Sequence, residues 1–194
     1  MKKIVLVFGL ISGALMALFM FAYLPFMEKI GDKGAYVGYT SMVLAFILVF
    51  FGIRSYRENV GGGTITFGRA FVVGILIAII SSVCYVIAWE ILYHYFMPDF
   101  VDKYASRVIE QARASGASAQ AIQAKQQEMQ QFKQLYSNPF FNVAMTFIEP
   151  FPVGLIITVI SAAILRKKKA RSQESGVRSQ ESVVRSPLSV GSKQ

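Results

Sequence analysis

Residues 70 to 96 read AFVVGILIAIISSVCYVIAWEILYHYF, an apolar run in which Glu90 is the only acid. At about 1.5 Å per residue, a helix of this length crosses a hydrocarbon core of roughly 30 Å. Its apolar residues are consecutive and do not follow the spacing of an amphipathic helix, so the run does not fit the surface helix of a soluble domain. It therefore predicts a membrane span.

Three further apolar blocks have the same character and cover residues 4–27, 35–53 and 140–165. The whole chain is 54% hydrophobic and 16% charged, whereas soluble domains carry about 25% charged residues. The first block exceeds the roughly 7 to 15 residues of a signal-peptide core, and it lacks a small-residue cleavage site. We therefore expect it to be retained. The sequence predicts an all-α, integral membrane four-helix bundle in a membrane domain over residues 1–169.

The orientation follows from lysine and arginine, which are retained on the cytoplasmic side of a membrane. A tight turn at residues 31–34 makes the first two spans antiparallel. With both termini inside, the cytoplasmic flanks are the more basic ones, and we predict that arrangement. These flanks contain Lys2, Lys3, Arg54, Arg57, Arg69 and eight lysines or arginines from Arg166 onward.

The stretch ENVGGGTITFGRAF at residues 58–71 has the glycines of a phosphate-binding loop. Such a loop requires a lysine and a hydroxyl residue directly after its last glycine. Here Gly63 is followed by Thr64, and the preceding segment is a span and not a soluble strand. We interpret the stretch as a cytoplasmic turn entering a helix, with Thr64 or Thr66 capping the free amides.

The same region carries a resemblance to a known family. TFGRAF at residues 66–71, followed by Val73-Gly74, stands upstream of Asn138-Pro139 and of EPFPVGLI at residues 149–156. With these motifs the chain resembles domain-of-unknown-function family 4199 over roughly residues 1–169. The resemblance implies an uncharacterised four-span, multi-pass protein of the bacterial inner membrane, found in Bacteroidota.

The polar segment at residues 98–138 is too charged for lipid and is expected outside the cell. Apolar residues from Phe100 to Ala112 recur at helical spacing, and Ser115-Gly116 ends that pattern. A second amphipathic helix is expected from Ser118 to before Pro139. The segment therefore predicts an extracytoplasmic helical hairpin, which either caps the bundle or docks a protein partner.

Residues 170–194 form a polar tail in which RSQES occurs twice, at 171–175 and 178–182. A segment with so little apolar surface does not offset the entropy of ordering, so we expect disorder. The basic cluster before the tail is explained by topology, and without interleaved aromatic residues it does not indicate nucleic-acid binding.

Ionisable groups inside spans indicate candidate functional sites, because they are costly to bury in lipid. Glu90 and Glu149 are the only acids in the predicted spans, and His94 lies four residues after Glu90 on the same helical face. Pro150 removes a backbone donor beside Glu149 and should break the fourth helix. At about 1.5 Å of rise per residue, both acids lie near the outer surface of the membrane. The candidate polar site is therefore Glu90, His94, Glu149 and Pro150. The simpler interpretation is that these groups only contact water, headgroups or the hairpin.

Other residues are expected to anchor the bundle at the membrane surface. Basic side chains extend toward headgroups, and aromatic rings favour the interface. Cys84, the single cysteine, is expected to pack as a small apolar residue. The predicted anchors are Arg69, Trp89, Arg166, Lys167, Lys168 and Lys169.

The chain offers no triad-like set of nucleophile, base and orienting group, and no His/Cys cluster of zinc-site spacing. We therefore expect no enzymatic activity, no metal and no cofactor. The leading hypothesis is an accessory or interaction subunit that contacts the lipid bilayer and a protein partner. The alternative is a small, homo-oligomeric transporter or channel component that uses Glu90, His94 and Glu149.

Overall fold

The computed structural model describes residues 1–26 and 34–167 of the chain. Seven α-helices and one 3-10 turn follow each other along these residues. They are α1 (Lys2–Tyr23), the 3-10 turn (Leu24–Phe26), α2 (Gly34–Asn59), α3 (Phe67–Tyr95), α4 (Phe100–Ala114), α5 (Ala119–Tyr136), α6 (Pro139–Ile148) and α7 (Pro150–Leu165). The predicted all-α fold, with a helical hairpin between the third and fourth spans, is confirmed.

Four stretches are long and apolar enough to cross a membrane: Lys2–Phe26, Tyr36–Asn59, Phe67–Tyr95 and Pro139–Leu165. Several predicted features lie outside the described residues. They are the end of the first block at Met27, residues 31–33 of the predicted turn, the anchors Lys168 and Lys169, and the tail at 170–194. Residues 1–26 and 34–167 therefore form a bundle of four candidate membrane spans.

Two helices differ from the predicted spans. α2 continues past Ile53 to Asn59, because Arg54 forms an i,i+4 ion pair of 2.9 Å with Glu58 and the Asn59 amide donates to the Ser55 carbonyl at 2.9 Å. The fourth span consists of two helices, α6 and α7, which meet at Glu149. Proline explains the break, since Pro150 has no N–H to offer the carbonyl one turn upstream.

α3 is the central helix and packs against α1, α2 and α7. Val73, Ile77 and Ala78 of α3 are buried together with Phe46 and Ile53 of α2. Residues of α1 and α7 belong to the same cluster, so the core lies among all four spans.

Glycines let α1 approach α3 closely. Gly9 and Gly13 are one helical turn apart, and a Cβ built on Gly13 would lie 2.4 Å from the Cβ of Cys84. The Ser81 hydroxyl donates to the Gly9 carbonyl at 3.2 Å, and small residues of this spacing are typical of membrane helix contacts. Since Gly9 lies beside Ile80 and Gly13 beside Cys84, α1 and α3 run parallel.

The fourth span packs on α3 in the same manner. A Cβ on Gly74 would lie 2.7 Å from Thr158, and a Cβ on Gly154 would lie 2.8 Å from Phe46 and 3.0 Å from Ala78. Gly74 comes before Ala78 in α3, but its partner Thr158 comes after Gly154, the partner of Ala78. The two helices are therefore antiparallel.

The loop between α2 and α3 is tied to the end of α7. Gly62 and Gly63 turn the chain with φ of 58° and 80°, values that glycine adopts at no steric cost. The Ile65 N–H donates to the Lys167 carbonyl at 3.1 Å, and the Lys167 N–H donates back to Ile65 at 2.9 Å. We call this pair of hydrogen bonds the clasp.

Side chains cap the helices that follow the loops. The Thr66 hydroxyl accepts from the Arg69 amide at 3.4 Å, and the Ser118 hydroxyl accepts from the Ala121 amide at 3.2 Å. Of the two predicted capping residues, Thr64 and Thr66, the structure shows Thr66. The predicted start of the second hairpin helix at Ser118 is confirmed.

The bundle has two chemically different ends. One, here called the basic end, contains the start of α1, the loop between α2 and α3, and the clasp. The other, the hairpin end, carries α4 and α5, which lie side by side with Lys133 bonded to Asp102. The described basic residues at the basic end are Lys2, Lys3, Arg54, Arg57, Arg69, Arg166 and Lys167.

Candidate functional site

Glu149 meets Tyr85 at the point where the fourth span breaks. The Tyr85 hydroxyl donates to Glu149 Oε2 at 3.0 Å. Tyr85 lies 16 residues after Arg69 in one helix, about 24 Å along its axis. Glu149 lies 17 residues before Arg166, about 25 Å by the same rise. The two distances from the basic end agree. The Glu149 carboxylate therefore lies within the membrane-spanning part of the bundle, toward the hairpin end.

Glu149 also lies on the outside of the bundle, since its side chain is exposed in the single chain. The break separates two packing environments: α7 packs against α2 and α3, whereas α6 packs against α3 and α5. Pro150, the first residue of α7, is buried. An acid on the lipid-facing side of a span is costly, and the Tyr85 hydroxyl offsets part of that cost.

Glu90 and His94 form a second polar pair on α3. His94 Nδ1 lies 3.5 Å from Glu90 Oε2 and 3.0 Å from the Glu90 carbonyl oxygen. The His94 side chain is exposed, whereas Glu90 is mostly covered. Among the described residues, Glu90 Oε1 is buried without a hydrogen-bond partner. The pair therefore offers one unused acceptor beside a titratable ring.

A buried polar cluster lies beside this pair. The Trp89 indole N–H donates to the Tyr136 hydroxyl at 2.9 Å, and the Thr146 hydroxyl donates to Asn142 Oδ1 at 3.2 Å. Asn142 and Thr146 are 2% and 5% exposed. Burial raises the pKa of Tyr136 to about 12, against the opposing hydrogen bond from Trp89. The cluster joins α3, α5 and α6 through neutral groups.

Aromatic rings complete the junction between α3 and the hairpin. Trp89 meets Phe100 edge to face with ring centroids 4.9 Å apart, and Tyr93 meets Tyr136 at 5.6 Å. Phe132 lies 5.3 Å from Tyr136. These rings hold both hairpin helices on α3.

The candidate residues do not form a single site. Glu90 pairs with His94, whereas Glu149 and Pro150 belong to the break beside Tyr85. Within residues 1–26 and 34–167, no group of three or more His, Cys, Asp or Glu side chains could hold a metal ion. The geometry suits proton exchange or hydrogen bonding at two separate places.

The predicted anchors occupy different environments. Arg69, Arg166 and Lys167 are exposed at the basic end, as a surface anchor requires. Trp89 is half-buried under the hairpin, where Tyr136 accepts its N–H. Cys84 packs against Gly13, in agreement with its predicted role.

Sequence reasoning did not single out Gly9, Gly13, Asn142 or Thr146. The Gly9-x-x-x-Gly13 spacing is a readable signal for close helix contact. The Asn-x-x-x-Thr spacing places Asn142 and Thr146 on one helical face, but only the fold shows that this face is buried.

Comparisons with known proteins place the chain in a family. No curated protein and no solved structure shows significant similarity to it. The family model described as "Protein of unknown function (DUF4199)" matches residues 7–167. The match begins inside α1 and ends at Lys167 of the clasp, so it covers the described bundle except for its first six residues. The chain therefore belongs to the DUF4199 family.

Proposed function

We propose that this protein is a non-enzymatic accessory or interaction subunit of the bacterial inner membrane, with the 98–138 hairpin as its docking element. The hairpin end would face away from the cytoplasm and both termini would lie inside. The clustering of basic residues at the opposite end supports this orientation, since such residues are retained in the cytoplasm.

The observation that carries the proposal is the way the hairpin is held. The hydrogen bond between Trp89 and Tyr136 fixes one face of α5 to α3. The opposite face of α5 is exposed and rich in glutamine, and it presents Gln123, Gln127 and Gln131 at i,i+4 spacing. A rigidly mounted polar surface of this kind suits recognition of a partner protein, because little ordering entropy is lost on binding.

Purification from native membranes in mild detergent tests the proposal. We expect a stoichiometric second protein in the intact complex. The double variant Gln123→Arg/Gln127→Arg should lose that protein, whereas the control pair Asn59→Arg/Val60→Arg at the basic end should retain it. A complex that contains only copies of this chain would overturn the proposal.

The alternative is a small oligomeric transporter or channel component that uses Glu90, His94 and Glu149. The exposed Glu149 at the break favours it, because a second copy could cover the carboxylate and share a pathway. The core of one copy offers no such path between α2 and α3, where Phe46, Ile53 and Ile77 are fully buried. Four spans therefore require an oligomer for this function.

Ion or proton flux in proteoliposomes distinguishes the alternative from the accessory function. Glu149→Gln keeps an acceptor for Tyr85 but removes the charge, and Glu90→Gln does the same beside His94. A transporter should lose its flux in the double variant while its melting temperature is unchanged. An accessory subunit should keep its partner in the same variant.

A further inference from the structure

A cavity of about 180 Å³ lies between α1, α2 and α3 at the hairpin end. Its wall is almost entirely apolar, and three of the polar side chains on it have hydrogen-bond partners. The Tyr85 hydroxyl donates to Glu149, the Trp89 N–H donates to Tyr136, and the Ser41 hydroxyl donates to the Gly38 carbonyl. Hydrocarbon is therefore the chemistry that the cavity fits. The main apolar lining residues are Met16, Phe19, Met20, Val37, Leu92 and Met97.

A groove of about 380 Å³ lies next to this cavity, along the first turns of α4. Among the described residues, its lining contains two cations and one acid. Lys103 pairs with Asp99 at 3.0 Å, whereas the part of the chain that the structure describes gives Arg107 no ion-pair partner. The groove therefore carries an excess positive charge, and the positive end of the α4 dipole adds to it.

The cavity and the groove lie side by side, since Leu24 and Met97 line both. An apolar cavity beside a cationic groove matches an amphiphile that has a hydrocarbon chain and an anionic head.

We propose that the cavity and groove together bind one anionic phospholipid of the surrounding leaflet. One acyl chain enters the cavity between α1 and α2, and the phosphate lies between Lys103 and Arg107. Arginine binds phosphate oxygens in a bidentate manner, and lysine adds a point charge. The site is distinct from the candidate polar site and does not depend on the accessory function, although Tyr85 and Trp89 form part of its wall.

The single tryptophan of the chain allows a direct test, because Trp89 lines the cavity. Phospholipids with brominated acyl chains quench indole fluorescence at short range. The full-length protein in detergent is titrated with brominated phosphatidylglycerol, which is anionic, and with brominated phosphatidylcholine, which is zwitterionic. We expect saturable quenching at one lipid per chain. Because Asp99 pairs with Lys103, one cation is left over, and at about 1 kcal/mol per cation the preference for the anionic lipid should be roughly fivefold.

Two variants separate the cavity from the groove. Gly38 lines the cavity, and a Cβ on it meets no atom within 4 Å, so Gly38→Leu fills the space without a clash and should abolish saturable quenching. Gly68→Leu, at the other end and equally open, is the matched control and should leave it unchanged. Arg107→Gln should remove most of the preference for phosphatidylglycerol and keep the cavity.

Circular dichroism and melting temperature show whether each variant is folded. The proposal is overturned if the two headgroups quench equally in the wild type, or if a folded Gly38→Leu variant is quenched as the wild type is. It is also overturned if folded Arg107→Gln and Lys103→Gln variants both retain the full headgroup preference.

Discussion

The indole N–H of Trp89 and the hydroxyl of Tyr136 are 2.9 Å apart, and they join the last turns of the bundle's central helix to the last turn of the hairpin. Tyr136 is 7% exposed and is also packed against Tyr93 and Phe132. The contact therefore links the membrane part of the protein to its polar cap by one directed bond within an aromatic cluster.

Tyr136→Phe should loosen the hairpin without removing its aromatic packing. The variant leaves the Trp89 N–H without an acceptor in a part-buried place, which costs about 1–3 kcal/mol. Hydrogen exchange should become faster in α5, and the melting temperature should fall. Tyr95→Phe is the control, because Tyr95 is 81% exposed and its loss should change neither quantity. Equal exchange rates in the two variants would contradict this role for the bond.

The hairpin should also weaken at high pH. The pKa of Tyr136 is raised to about 12 in the folded protein, against about 10 for tyrosine in an unfolded chain. The fold favours the neutral phenol, so this contribution to stability is complete below pH 10 and is lost as the pH rises through 12. The difference in melting temperature between wild type and Tyr136→Phe should shrink over that interval. A constant difference from pH 8 to pH 12 would show that Tyr136 does not titrate in this manner.

Gly13→Leu should disrupt the contact between α1 and α3. A Cβ at this position would lie 2.4 Å from the Cys84 Cβ and 3.4 Å from the Ser81 backbone, so the helices must separate. Overpacking of this kind typically costs about 1–3 kcal/mol. Unfolding in a mixed-detergent titration measures the loss. Gly68→Leu is the control of identical chemistry in open space. A Gly13→Leu variant as stable as this control would argue against close packing.

Cysteine labelling can test the proposed orientation. In a Cys84→Ala background, Ser106→Cys on the hairpin and Val60→Cys in the loop at the basic end both introduce an exposed thiol. With inside termini, a membrane-impermeant maleimide should label Ser106→Cys in cells whose outer membrane alone is permeable. Val60→Cys should react only after the inner membrane is opened. The reverse pattern would invert the topology.

The spans and the hairpin were predictable because their signals are local. A continuous apolar run fixes a span, and Thr66 or Ser118 before a helical pattern fixes its start. The break at Pro150 follows from the missing N–H of one residue. Each of these features depends on neighbours in sequence, so a single sequence is enough to place it.

The partners of the candidate residues were not predictable. Trp89 was expected at the lipid interface, but a residue 47 positions away accepts its N–H, and only the folding back of the hairpin brings Tyr136 there. Glu149 was grouped with Glu90 and His94 by type, yet the register between α3 and the fourth span gives it Tyr85 instead. Which polar groups meet is therefore set by helix packing, which composition does not encode.

The clasp between Ile65 and Lys167 also constrains the order of assembly. Ile65 emerges from the ribosome long before Lys167, so its backbone donor and acceptor stay without these partners until the fourth span has been made and inserted. The basic end can thus be completed only after the fourth span has been made, and a chain that stops before Lys167 leaves the Ile65 N–H and carbonyl without these partners.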